Sequence, residues 1–210
     1  MGVRDSFPRH FFDTARKAAS VFESLDGDWM FIGAVSVAAW GRVRATTDAD
    51  FAVSLDFTRA GELDKAMIRA GFEKVSGPEE IPAKRLVLSK YWAQYPGGGL
   101  GVDVFYTTGY DTGRFLRRAL TRRVQVKFYG KIYPVTSPED LVVFKVHAYR
   151  ARDLDDVATI LERRFDDLDW RYIRRWARVL RFEKLLQGVV LEFQQSQKIA
   201  GPLPWKRRFK

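Results

Sequence analysis

Residues 31–55, FIGAVSVAAWGRVRATTDADFAVSL, decide how the rest of the chain is read. The stretch opens on apolar residues and reaches Gly33, then runs through a short small-residue helix to Gly41. A polar loop follows, and a strand begins on Asp48 and Asp50. Side chains alternate faces along a strand, so the two aspartates share one face, roughly 6–7 Å apart. Both carboxylates can therefore reach a single cation. Phe51, Ala52, Val53 and Leu55 continue as a nearly unbroken apolar run, the pattern of a strand covered on both faces. Acids at the mouth of such a strand carry a desolvation cost that a metal, another cation or a proton offsets.

On the N-terminal side, Phe11, Ala15, Ala18, Phe22 and Leu25 recur at helical spacing until Asp26 and Gly27 end the stripe. Residues 29–32 read as a short buried strand, and residues 33–40 as a helix whose open N-terminal amides can face an anion. On the C-terminal side, Leu63, Ala66 and Met67 mark a helix over 60–70 closed by Gly71, with strands expected at 72–75 and 85–91. Pro96, Gly97, Gly98 and Gly99 then separate that last strand from residues 101–107, GVDVFYT, as a hairpin with a flexible loop. Asp103 lies between Val102 and Val104, a third acid where strand propensity favours none. A helix near 111–120 and two short strands over 124–135, turning at Gly130, complete a core domain expected to span residues 1–135.

Residues 136–210 read as a C-terminal helical region with a basic tail. Ser137, Pro138, Glu139 and Asp140 make a helix start, with Ser at the cap, Pro at the first position and acids behind it. That helix runs to about Arg150, another follows from Arg152, and one long helix is expected over 170–195. On it Arg171, Arg174, Arg175, Arg178 and Arg181 form a stripe opposite Ile173, Trp176 and Leu180. The stripe reads either as a solvated face or, with Lys206, Arg207, Arg208 and Lys210, as a surface that tracks RNA phosphates.

Composition narrows the class. Of 210 residues, 46% are hydrophobic and 30% charged, and no apolar run nears the ~20 residues of a membrane span, so a soluble protein is expected. The opening MGVRDSFPRH lacks a secretory apolar core and there is no cysteine for disulfides or thiolate zinc, which points to the cytoplasm. With 36 Lys and Arg against 26 Asp and Glu, the net charge of +10 favours polyanionic partners. His10 and His147 are isolated and are not nominated as ligands or bases.

Three acids on neighbouring strands, with a glycine at a helix start, are the parts that two-metal phosphoryl or nucleotidyl transfer uses. Hard divalent ions such as Mg2+ take oxygen ligands, and a helix N-terminus takes the remaining phosphate oxygens. The pattern resembles the nucleotidyltransferase superfamily with the polymerase β-like fold. Ile32, Gly33 and Ala34 followed by Asp48, Ala49 and Asp50 match its signature, and Asp103 in VDVF looks like its third acid. Gly41, Arg44 and Thr46 stand where the AbiEii-type toxin and related bacterial branches carry the same residues, and residues 137–161 look like their following helical segment.

The resemblance implies a mixed α/β (α+β) sheet flanked by helices. It implies that Asp48, Asp50 and Asp103 hold two Mg2+ ions, or Mn2+ in their place. Gly33, Ala34 and Ser36 would lie along the triphosphate of an NTP such as ATP, with Arg44 and Thr46 beside it. Arg44 would bind phosphate or hold an aspartate in place. Lys145 would contact the triphosphate, and Asp153, or else Asp156, would support the lysine or the acceptor. Ala34 departs from the commoner Gly or Ser, so no hydroxyl is offered there. The implied function is transfer of an NMP to an acceptor. In the branches it resembles most, that means a toxin acting on tRNA and silenced by a cognate antitoxin protein. Two other readings stay open: nucleotidylation of a small molecule such as an antibiotic, and a non-catalytic RNA- or partner-binding module on the same fold.

Overall fold

The computed structural model describes residues 7, 10–81, 85–95 and 97–206. Pro96 and the tail residues Arg207, Arg208 and Lys210 lie outside the described residues. In chain order the elements are α1 (Phe11–Ser24), β1 (Trp29–Phe31), α2 (Gly33–Trp40), β2 (Asp48–Asp56), α3 (Ala60–Arg69), β3 (Glu73–Ile81), β4 (Leu86–Tyr95), β5 (Gly98–Thr107), α4 (Asp111–Thr121), β6 (Val124–Phe128) and β7 (Lys131–Val135). Four helices follow: α5 (Pro138–Ala148), α6 (Ala151–Arg164), α7 (Trp170–Val179) and α8 (Glu183–Ser196). The chain divides into two compact units, residues 1–39 with 43–137, and residues 40–42 with 138–210.

The first unit is built on a seven-stranded sheet in the order β3-β4-β5-β2-β1-β7-β6. The sheet is mixed: β2 pairs parallel with β5 and β1 with β7, while the other neighbours run antiparallel. Alternation along the two central strands sorts the side chains. Ala49, Phe51, Val53 and Leu55 of β2 and Val102, Val104 and Tyr106 of β5 are buried together. The α1 stripe of Phe11, Ala15, Ala18 and Phe22 is buried as its spacing predicts. Phe22 and Phe31 pack on Phe51 with centroids 5.2 and 4.8 Å away, each fully buried ring contributing about 1.5–3 kcal/mol. The strand positions in between, which carry Asp48, Asp50 and Asp103, point to the opposite face.

Two boundaries differ from the sequence expectation. Gly98 and Gly99 are not loop but the first residues of β5, paired with Tyr95 and Gln94. Strand β3 also extends to Ile81 instead of ending near residue 75.

In the second unit the expected long helix over 170–195 is two helices. Arg181 adopts φ +62° and Phe182 turns inward, 4% exposed. Beyond the break, Glu183 accepts from Arg174 Nε at 2.6 Å and Arg178 Nε at 2.9 Å. These bonds hold its carboxyl below the usual range and fix the corner with arginines read as part of one continuous stripe. A second break separates α5 from α6 at Tyr149, φ +54°. Gly41 packs on α6 so closely that a Cβ there would fall onto Thr159 Oγ1, and the Arg164 guanidinium lies 5.2 Å from the Trp40 ring. Among the described residues no helix is long and apolar enough to cross a membrane.

Candidate active site

Register brings the acids together. In the parallel β2–β5 pair, Asp48 stands opposite Gly101 and Asp50 opposite Asp103, so all of them share one face of the sheet. Asp50 and Asp103 thus sit side by side at the ~4.8 Å spacing of adjacent strands. On the other flank, the antiparallel β1–β2 ladder ends with the Ile32 N–H donating to the Asp50 carbonyl at 2.9 Å. The chain leaves the sheet there through Gly33, at φ +63°, and a Cβ at Gly33 would fall onto Asp50 Oδ2. Gly101 does the same for the other acid: a Cβ there would fall onto Asp48 Oδ1. Each of the paired aspartates therefore lays its carboxylate into space that a glycine leaves open. Gly101 escaped the sequence reading, although a glycine inside a strand is itself a mark of close approach.

The loop before β2 fixes the entry. Thr46 Oγ1 donates to the Asp48 carbonyl at 3.1 Å and accepts from its N–H at 3.3 Å. Thr47 Oγ1 donates to Asp48 Oδ2 at 3.3 Å. Thr46 thus shapes the backbone under Asp48, whereas Thr47, not singled out from sequence, orients the carboxylate. Arg44 is half-buried in the same loop, with the Ala45 carbonyl 3.5 Å from Nη1.

Lys90 is a further residue that sequence reasoning missed. It stands directly across from Asp103 in the β4–β5 ladder, its Nζ 3.4 Å from Oδ2. Nothing in the sequence marks it, because the pairing depends on the register of a hairpin. Burial pushes the Asp103 carboxyl up; Lys90 opposes that shift, and the charge of Asp48 adds to it.

Among the described residues no three acidic or histidine side chains converge as a ready-made metal cage. The donor set nevertheless fits a hard cation: carboxylate oxygens on one face, on adjacent strands, with a carboxyl whose ionised form a nearby positive charge would favour.

Other expected residues have different surroundings. Ser36 is fully buried, and its hydroxyl donates to the Phe31 carbonyl at 2.7 Å and accepts from Thr136 N at 3.3 Å. The expectation that it lines a triphosphate is corrected, since its hydroxyl pins α2 to the ends of β1 and β7. The Ala34 side chain is also buried, leaving only backbone at the α2 N-terminus to meet an anion.

Lys145 and Asp153 lie in the second unit. The Lys145 side chain is 8% exposed, with Nζ 2.9 Å from Asp153 Oδ1 and 2.8 Å from Asp156 Oδ2. Arg150 Nε adds a 2.6 Å bond to Asp153 Oδ2. Burial raises the Asp153 carboxyl, but hydrogen bonds from Arg150 and Lys145 and their charges outweigh it and leave a net lowering. The ammonium is taken up by two carboxylates across the α5–α6 break, so the cluster is an ion network joining two helices. The expected triphosphate contact is not part of it.

No protein-family profile matches the chain, and no curated protein matches it. Solved structures do. An antigenic nucleotidyltransferase-like protein from Paracoccidioides brasiliensis is 16% identical, with 88% of each chain covered and a TM-score of 0.52. ANT(2")-Ia in complex with adenylyl-2"-tobramycin is 12% identical, covering 80% of this chain and 95% of its own, TM-score 0.47. The lincosamide antibiotic adenylyltransferase LnuA, lincomycin-bound, is 13% identical over 68% and 90%, TM-score 0.44. The chain thus has the fold of the nucleotidyltransferase superfamily, a mixed sheet flanked by helices.

Proposed function

We propose that this chain is a Mg2+-dependent nucleotidyltransferase that moves an NMP from an NTP to an acceptor hydroxyl and releases pyrophosphate. The observation that carries the reading is the common face of Asp48, Asp50 and Asp103, with Gly33 and Gly101 left bare to seat the carboxylates of Asp50 and Asp48.

In the reaction, the acceptor oxygen bonds to the α-phosphorus as the bond to the β-phosphate oxygen breaks, and pyrophosphate carries away the electron pair. Asp48, Asp50 and Asp103 would hold the divalent ions, which when bound supply positive charge to the triphosphate. Asp103, made more basic by its burial, would take the acceptor proton. The amides at the start of α2 offer donors to phosphate oxygens. The rate comes from positioning and electrostatics, with no covalent enzyme intermediate.

The acceptor we propose is a structured RNA such as tRNA, in a cytoplasmic toxin held silent by an antitoxin. The net charge of +10 and the likeness of Gly41, Arg44 and Thr46 to AbiEii-type sequences support it. The charge fits a small antibiotic acceptor less well. Incubation with labelled NTPs, Mg2+ and total RNA tests the reaction. Wild type is expected to label RNA and the Asp48→Ala, Asp50→Ala double variant is not. Equal labelling by both would refute the mechanism.

A further inference from the structure

An aromatic side chain stands beside the acids on their face of the sheet. Trp92 of β4 pairs with Gly101, which in turn pairs with Asp48, so these residues lie in one row across three strands. Two strand spacings put the Trp92 backbone about 10 Å from that of Asp48. The neighbouring residues of β4, Tyr91 and Ala93, are buried in the opposite face, which fixes the direction in which Trp92 projects. Its ring lies across Gly99, where a Cβ would fall onto Cζ2 and Cε2. Its Nε1 donates to Gln94 Oε1 at 3.0 Å, which keeps the indole from turning away. The half-buried indole thus lies over Gly99 as a fixed aromatic plate, and the Asp48 carboxylate lies over Gly101, two residues further along β5. Lys90, on the same face two residues along, adds positive charge beside the plate.

We infer that Trp92 is a stacking platform for a nucleobase. The inference rests on the reading of this face as a nucleotidyl-transfer site and deepens it by assigning the planar part of a ligand. Indole–base stacking tolerates any base, because every base presents a π-face. The base belongs either to the acceptor strand or to the incoming nucleotide. Gly99 and Gly101 stand two strand residues, about 6–7 Å, apart, so a base held on the indole leaves its sugar and phosphate toward the acids.

Two binding titrations of the full-length protein test this. One uses a short single-stranded RNA without NTP, and the other ATP with Mg2+ without RNA. Trp92→Leu is expected to weaken one of them roughly five- to a hundredfold, while Trp92→Phe retains most of the affinity. Loss confined to RNA assigns the acceptor base; loss confined to ATP assigns the incoming base. Unchanged affinity in both overturns the proposal. If the leucine variant does not fold, wild type labelled with 5-fluorotryptophan gives the answer. The Trp92 resonance, identified by its loss in Trp92→Phe, moves with RNA or ATP if the platform exists, and moves with neither if it does not. Failure of the transferase reading would show separately, as undiminished labelling by the Asp48→Ala, Asp50→Ala variant.

Discussion

Asp50 and Gly33 share one space: the carboxylate of the aspartate occupies the position that any side chain at residue 33 would need. Gly33→Ala therefore does two things at once. It forces a Cβ into φ +63°, at roughly 1–2 kcal/mol, and it displaces Asp50 from the acid face. Transfer activity is expected to fall by about a hundredfold or more, with melting lowered by only a few degrees. Labelled-NTP transfer and a thermal melt on the same sample check this; unchanged transfer would show that Asp50 does not need its present position.

Gly101→Ala acts on Asp48 without the backbone strain, because Gly101 is ordinary strand. It is expected to reduce transfer through Asp48 while leaving urea stability within about 1 kcal/mol of wild type. A large stability loss with intact transfer would contradict the proposed crowding of the carboxylate.

Lys90→Met removes the charge that holds down the Asp103 carboxyl. That carboxyl is already raised by burial, so losing Lys90 raises it further and extends the protonated form to higher pH. Mn2+ binding, followed by electron paramagnetic resonance during acidification, is expected to be lost at a higher pH in Lys90→Met than in wild type. An unchanged midpoint would separate Asp103 from cation binding.

Lys145→Met leaves Asp153 and Asp156 buried around a missing ammonium. Breaking such a network is expected to cost about 3–5 kcal/mol in urea unfolding. Because the Asp153 carboxyl is lowered on folding, its contribution is complete above the ordinary aspartate value of about 3.9 and is lost as pH falls through the depressed folded value. Acid titration of wild type should show this loss below the ordinary aspartate value, and Asp153→Asn should remove that step.

Much of this arrangement is written locally in the chain. The α1 stripe, the small-residue helix after Gly33 and the alternation that puts Asp48 with Asp50 follow from spacing alone, because period and burial agree there. Asp103 could be noticed because an acid between two valines contradicts its strand. Gly101 carried the mark of a glycine inside a strand, but Lys90 and Trp92 carried none, since their importance comes from which residues stand opposite them, a property of register between distant segments. Ser36 was misread for a related reason: its position near Gly33 is local, but its partner Thr136 is 100 residues away. The break at Arg181 was hidden by an apolar–basic periodicity that continues across it in sequence, although the helix does not.

The in-register pairing of β2 with β5 makes the acid face a form of proofreading. A strand that slips by one residue exchanges its two faces, so a shifted β5 would send Asp103 into the apolar layer and bring Val102 or Val104 up beside Asp50. The β4–β5 ladder begins at the Tyr95–Gly98 pair, which sets the register of β5 from its first residue. Insertion or deletion of a single residue there would reverse the strand's faces wholesale, and a misregistered molecule would be both less stable and short of one acid.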